Sequence, residues 1–279
     1  MTIPTDSHFP YSALEQNFEI SAPAFVMPNF HPVISAPAAI IVDVASGTPI
    51  WGKNVEEERA IASLTKLMTA LIIVESHDMS EVVTVSSSFQ NILGAKMKVV
   101  PGEKITIENL LNGLLIPSGN DAAHVLAEYH SGSEEAFVKE MNMRAYYLGM
   151  QHTHFQNPHG LDADQHYSSP ADLAILTRKI LEYPKIREII RMKKKTVFSV
   201  DGGTQHALTS TNELLFSPFP VYGVKTGTTD KAGQCLIALI KNDRQEVLVI
   251  VLGSTDRFHD VKTMLRPFLP VKPPETAIQ

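Results

Sequence analysis

Residues 60–74 read Ala60-Ile61-Ala62-Ser63-Leu64-Thr65-Lys66-Leu67-Met68-Thr69-Ala70-Leu71-Ile72-Ile73-Val74. On a helix of 3.6 residues per turn these apolar positions go all the way round, which is the pattern of a buried helix. The spacing predicts a helix over residues 57–75. Lys66 sits inside it, and no carboxylate occurs between Glu58 and Glu75. Lysine is almost never fully buried unless paired, and desolvation disfavours its charged form. Ser63 lies one turn earlier on the same face. A serine hydroxyl is a weak nucleophile until a base takes its proton, and a lysine held neutral is such a base. Bringing a lysine from about 10.4 to about 7–8 is worth about 4 kcal/mol, which burial can supply. Alone, this S-x-x-K also fits a capping serine beside a snorkelling lysine.

Two further patterns bear on that choice. Ser118-Gly119-Asn120 falls between predicted helices over 107–115 and 121–129, where Ser and Asn also suit helix capping. Lys225-Thr226-Gly227-Thr228 ends an apolar strand, and Gly227 would admit a close ligand backbone. Each is weak alone. In the order S-x-x-K, S-x-N, K-T-G they form the set that places a serine nucleophile in β-lactamases and penicillin-binding proteins.

The rest of the chain supplies a matching frame. Strand-like runs occupy 38–44 and 49–51, helical patterns 134–148 and 169–181, three strands 222–228, 234–240 and 246–252, and a last helix 258–268. The short turns between the last three strands, including Asn242-Asp243, require antiparallel pairing. Strands at both ends with helices between them indicate an α+β domain, with the chain ends building one sheet. The expected division is an irregular, proline-bearing arm over 1–35, a catalytic domain over 36–268 and a proline-rich tail over 269–279.

With 279 residues, the chain can bury a large core. A net charge of −6 argues against a nucleic-acid partner. The basic run Arg191, Lys193, Lys194, Lys195 reads as a solvated face. The single cysteine, Cys235, excludes an internal disulfide framework. His152, His154, His159 and His166 match no zinc-ligand spacing and read as surface loop histidines, so neither a metal nor a cofactor is expected. No apolar run is long enough for a membrane span. No Lys or Arg precedes Lys53, so no export signal is visible.

The motifs and their surroundings resemble the penicillin-binding serine D-alanyl-D-alanine carboxypeptidases of low molecular weight. The resemblance takes in residues 65–70, 114–123, the run Phe155-Gln156-Asn157-Pro158-His159-Gly160-Leu161, and residues 225–235. It implies a DD-transpeptidase/β-lactamase fold with a five-stranded antiparallel sheet and a helical subregion. It also implies an acyl-enzyme mechanism on D-Ala-D-Ala peptides of peptidoglycan, with β-lactams acting as inhibitors. By the same resemblance, Ser63 is the nucleophile and Lys66 its base. Ser118 and Lys225 relay a proton to the leaving D-alanine, and Asn120 binds the substrate amide. Thr226, Gly227 and Thr228 form the substrate-binding strand, and the Ser63 and Thr228 N–H groups form the oxyanion hole.

The sequence departs from the family pattern in three places. Ile61 replaces the usual proline of the Pro-Ala-Ser lead. No Arg lies between Arg191 and Lys225 to bind the substrate carboxylate. The second β-sandwich domain and C-terminal anchor of many members are not in this chain. A DD-endopeptidase is the main alternative. A class A β-lactamase would need a glutamate between the second and third motifs, where residues 157–167 offer only Asp162 and Asp164. A non-catalytic peptidoglycan- or β-lactam-binding protein would not need intact motifs. The resemblance implies an extracytoplasmic enzyme, expected to be monomeric.

Overall fold

The computed structural model describes residues 27, 29–86, 88, 92–241 and 245–269. Most of the expected N-terminal arm, the Asn242-Asp243 turn and the tail beyond residue 269 lie outside the described residues.

Five antiparallel strands form the central sheet: β1 (Ala38–Asp43), β2 (Pro49–Lys53), β7 (Val221–Thr229), β8 (Gly233–Lys241) and β9 (Glu246–Ser254), in the order β2-β1-β9-β8-β7. Both chain ends therefore contribute to it, as the α+β reading expects. The inner strands are apolar on both faces because both faces are covered. Ile40, Ile237, Leu239, Leu248 and Ile250 point into the larger core, among the helices. Ala39, Ile41, Ala238, Val249 and Val251 point into a smaller one under the C-terminal helix.

The helices are α1 (Lys66–Ser76), α2 (Ile107–Leu115), α3 (Asn120–Ser131), α4 (Glu134–Tyr147), α5 (Pro170–Ile180), α6 (Pro184–Ile189) and α7 (Arg257–Leu265). Their starts follow local chemistry. Thr106, Ser133, Ser169 and Asp256 each accept a backbone N–H of the first turn, and Pro170 opens α5 where its missing donor costs nothing. Helix α1 is buried from Lys66 to Ile73 and packs against α2, α3, α4 and α5, which is why it is apolar all round.

Several features differ from the expectation, among them α6, which the sequence reading does not include. Residues 57–61 are not helical: Arg59 pairs with Ser168 in an antiparallel bridge, exchanging N–H and C=O at 2.9 and 3.0 Å. The chain then enters a 3-10 turn over Ala62–Thr65, and α1 starts only at Lys66. At the other end α7 stops at Leu265 and tightens to a 3-10 turn over Arg266–Phe268. Pro267 there has no N–H to continue the α-helical ladder, while Arg266 keeps helical φ and ψ and donates to Thr263 O. Two further strand pairs were not expected: β3 (Val82–Thr84) with β4 (Lys104–Thr106), and β5 (Lys194–Phe198) with β6 (Gln205–Thr209). The basic run at 191–195 thus partly enters a strand.

Candidate active site

Ser63 sits on the 3-10 turn that leads into α1 and is packed against β7. Ala62 holds a left-handed φ of +48°, which L-residues rarely adopt. Two glycines enclose this turn. A Cβ at Gly160 would come within 2.0 Å of Ala62 O, and one at Gly227 within 3.0 Å of Ala62 Cβ, Ile61 O and the Ser63 nitrogen. A side chain at Gly227 would therefore crowd the backbone that carries Ser63.

One turn on, Lys66 is completely buried. Its Nζ lies 2.9 Å from Ser63 Oγ, 2.7 Å from Asn120 Oδ1 and 2.5 Å from the carbonyl oxygen of His159. The Asn120 amide orientation follows from its other end, where Nδ2 donates to Leu93 O at 2.6 Å. Both Asn120 Oδ1 and His159 O can only accept, so each takes one amine proton. A neutral amine then has one lone pair left, and it faces the Ser63 hydroxyl. Burial holds Lys66 well below the ordinary lysine range; the charge of Lys225 pushes the same way and Asp121 opposes it.

A second pair faces the first. Ser118, on the link between α2 and α3 with φ +66°, accepts a 2.8 Å hydrogen bond from Lys225 Nζ, which also donates to Thr226 O at 2.8 Å. Lys225 is 1% exposed, and burial, helped by Arg257, pushes its amine down to about 7. Burial thus favours the neutral form of both amines, holding Lys66 well below the ordinary lysine range and Lys225 at about 7.

All eight predicted site residues gather where β7 meets the turn before α1 and the start of α3. Next to them are residues that local sequence patterns did not reveal. Arg257, the first residue of α7, donates through Nη1 to Thr228 Oγ1 at 2.5 Å and to Gly227 O at 2.8 Å. Its Nε is buried without an acceptor among the described residues. Thr211 Oγ1 lies 2.5 Å from Thr226 Oγ1. Neither belongs to a local motif; topology brings α7 and the residues after β6 to this strand end. Asp121 accepts from the backbone N–H groups of Met97, Lys98 and Val99 at 2.8, 2.7 and 3.3 Å, fastening that segment beside Asn120. Asp162 accepts from Thr229 Oγ1 and Lys231 N, and Asp164 pairs with Lys231, so both tie residues 157–167 to the β7–β8 turn.

The histidines correct the surface-loop reading. His159 and His166 are 8% and 5% exposed, and burial pushes both down to about 4. Among the described residues no cluster of His, Cys, Asp and Glu could hold a metal ion.

Comparison with known proteins gives a consistent result. The sequence profile of the D-alanyl-D-alanine carboxypeptidase family, peptidase S11, matches residues 26–256. D-alanyl-D-alanine carboxypeptidase DacF of Bacillus subtilis is 37% identical over 79% of this chain and 58% of its own length. DacA of Escherichia coli is 32% identical over 80% of this chain and 57% of its own. The chain therefore spans rather more than half the length of these curated relatives. A mutant of a Streptomyces DD-transpeptidase superposes with a TM-score of 0.81 at 28% identity, covering 85% of this chain and 99% of that one. The crystal structure of DacD from Francisella tularensis superposes with a TM-score of 0.78 at 30% identity, covering 85% and 71%.

Proposed function

The chain belongs to the D-alanyl-D-alanine carboxypeptidase family, and on that basis we propose that it is a serine-type D-Ala-D-Ala carboxypeptidase acting on peptidoglycan stem peptides. The observation that carries the proposal is the position of Lys66. It is a completely buried amine 2.9 Å from Ser63 Oγ, with its other two polar neighbours able only to accept.

Ser63 Oγ attacks the carbonyl carbon of the penultimate D-alanine as its proton passes to Lys66. The negative charge that develops on the carbonyl oxygen is met by the backbone N–H groups of Ser63 and Thr228. Preorganised donors of this kind are worth roughly 3–4 kcal/mol each. When the C–N bond breaks, the leaving amine takes a proton through Ser118, which Lys225 replenishes. Asn120 Nδ2 keeps one N–H on Leu93 O and donates its second to the substrate amide carbonyl, while Oδ1 stays on Lys66. The terminal carboxylate lies against the Thr226 and Thr228 hydroxyls and the Lys225 charge. Arg257, with its unsatisfied Nε, supplies the guanidinium that the sequence lacks between residues 191 and 225. Before deacylation Lys66 gives up the proton it took from Ser63, and Lys225 regains one by exchange with solvent. Water then attacks the ester as its proton passes to Lys66, and Lys66 returns that proton to Ser63 Oγ as the C–O bond breaks. A β-lactam follows the same first step, its amide bond opening to leave an ester on Ser63.

The catalytic unit comprises residues 36–268 and acts as a monomer outside the cytoplasm, where its substrate lies. Among the described residues no helix is long and apolar enough to cross a membrane. A DD-endopeptidase is the second reading. It is supported by similarity to the D-alanyl-D-alanine endopeptidase of Pseudomonas aeruginosa, 31% identical over 85% of this chain.

One comparison separates the two. The enzyme is offered a stem pentapeptide and a cross-linked dimer, and free D-alanine and cleaved cross-link are measured. Faster release of D-alanine from the pentapeptide supports the carboxypeptidase. Cleavage of the dimer with little D-alanine release replaces it with the endopeptidase.

A further inference from the structure

His166 takes no part in the chemistry above, yet its ring is buried and both nitrogens are engaged. Nδ1 accepts the Gln156 backbone N–H at 3.1 Å. The neutral ring therefore carries its proton on Nε2, which lies 2.7 Å from Thr65 Oγ1. The Thr65 hydroxyl in turn donates to Ala62 O at 2.8 Å. The direction of every bond in this chain is fixed: Gln156 N–H to His166, His166 to Thr65, Thr65 to Ala62 O. The edge of the ring packs against Phe155, with centroids 5.9 Å apart and planes at 79°.

Ala62 O belongs to the peptide group whose other end is the Ser63 N–H. A trans peptide is planar, so fixing its oxygen fixes the direction of its hydrogen on the opposite side. This peptide follows a residue held at φ +48°, a conformation that does not persist without outside restraint.

We propose that His166 is a positioning residue for the oxyanion hole: through Thr65 it fixes the Ala62–Ser63 peptide and so aims the Ser63 N–H at the substrate carbonyl oxygen. The inference rests on the proposed acyl-transfer reading, in which that N–H is a donor to the oxyanion. It accounts for a buried histidine whose ring is not in contact with the nucleophile. The ring stays neutral because burial, with His159 and His154 of its own loop and Lys66 of α1, disfavours protonation; Asp162 opposes them more weakly. A charged ring would direct a second N–H at the Gln156 N–H and break the chain at its first bond.

The test is the rate of Ser63 acylation by benzylpenicillin in the full chain, with thermal stability measured alongside. The variants are His166→Phe, Thr65→Val and His166→Gln. Glutamine supplies both an acceptor for the Gln156 N–H and a donor for Thr65. His166→Phe and Thr65→Val are expected to acylate about 10- to 100-fold more slowly, with the loss in the covalent step and not in initial binding. His166→Gln is expected to recover to within about threefold of the wild type. The double variant His166→Phe with Thr65→Val should be no slower than the worse single one, since both act through one chain of bonds. Thr65→Val is nearly isosteric and carries the test should His166→Phe not fold. Acylation of both single variants at the wild-type rate would overturn the inference, as would a glutamine variant as slow as phenylalanine. Failure of the wild type to acquire any Ser63 adduct would instead overturn the acyl-transfer reading on which it rests.

Discussion

Replacing Lys225 by methionine should remove activity and raise stability. The side chain is 1% exposed, and its amine is pushed from 10.5 down to about 7. In the unfolded chain that amine remains protonated to about 10.4. The difference withholds about 4–5 kcal/mol of stability at pH 7, because folding must strip or bury the proton. Methionine keeps the length of the stem without the charge. The variant loses the 2.8 Å bonds to Ser118 Oγ and Thr226 O. These are worth about 0.5–1.5 kcal/mol each, with somewhat more for the orphaned carbonyl. The expected net gain is about 2 kcal/mol, or about 4–8 °C in Tm for a domain of this size.

The pH dependence gives a second signature. Between pH 7 and 10.5 the native amine holds fewer protons than the unfolded one, so wild-type stability rises across that window relative to the variant. The methionine advantage should therefore shrink as pH is raised, cross zero at about pH 9 and reverse above it. Thermal melts of both proteins at pH 7 and 9.5, with benzylpenicillin acylation as the activity readout, test this. A variant less stable at pH 7 by an amount that does not change with pH would refute the claim that burial of this amine opposes folding.

Three further expectations follow from the same geometry. Both His159 and His166 are pushed from 6.5 down to about 4, so the unfolded chain takes up protons first as pH falls. About 3 kcal/mol per histidine should be lost between pH 6.5 and 4, and urea midpoints flat over that range would contradict their burial. Asp121→Asn should weaken the bonds to the Met97, Lys98 and Val99 N–H groups, costing about 2–3 kcal/mol. It should also lower Lys66 further and move the acid limb of acylation to lower pH; an unmoved limb would remove Asp121 from the electrostatics of Lys66. Arg257→Leu should reduce kcat/KM about 100-fold for a peptide ending in a free carboxylate, with a much smaller effect on the C-terminal amide. Equal losses on both substrates would show that Arg257 serves only to hold the end of β7.

The motif residues were legible because their chemistry is local in sequence. Ser63 and Lys66 are one turn apart, Ser118 and Asn120 share a three-residue link, and Lys225 to Thr228 lie along one strand. The sheet was legible from apolar runs such as residues 246–252. Less legible was anything fixed by contact across the chain. Arg59 shows no sign in its own neighbourhood that Ser168 will claim its backbone and delay α1 to Lys66. Arg257 opens an ordinary surface helix, and only the β9–β8–β7 order carries it to Thr228. His159 and His166 sit in a polar loop, and composition alone placed them at the surface; burial comes from the loop folding against the start of α1. The β5–β6 hairpin carried a readable turn signal, Asp201-Gly202-Gly203, with Gly202 at φ +73°. It was obscured because its strands are short and mostly exposed, so their apolar alternation is faint.

The most direct measurement is peptide mass mapping after incubation of the protein with benzylpenicillin. One ester-linked penicillin per chain, on the peptide containing Ser63, is the predicted result. It should be absent from a folded Lys66→Met variant, which lacks the amine 2.9 Å from Ser63 Oγ. No adduct on the wild type, an adduct on another residue, or undiminished acylation of Lys66→Met would contradict the assignment of Ser63 and Lys66 as nucleophile and base.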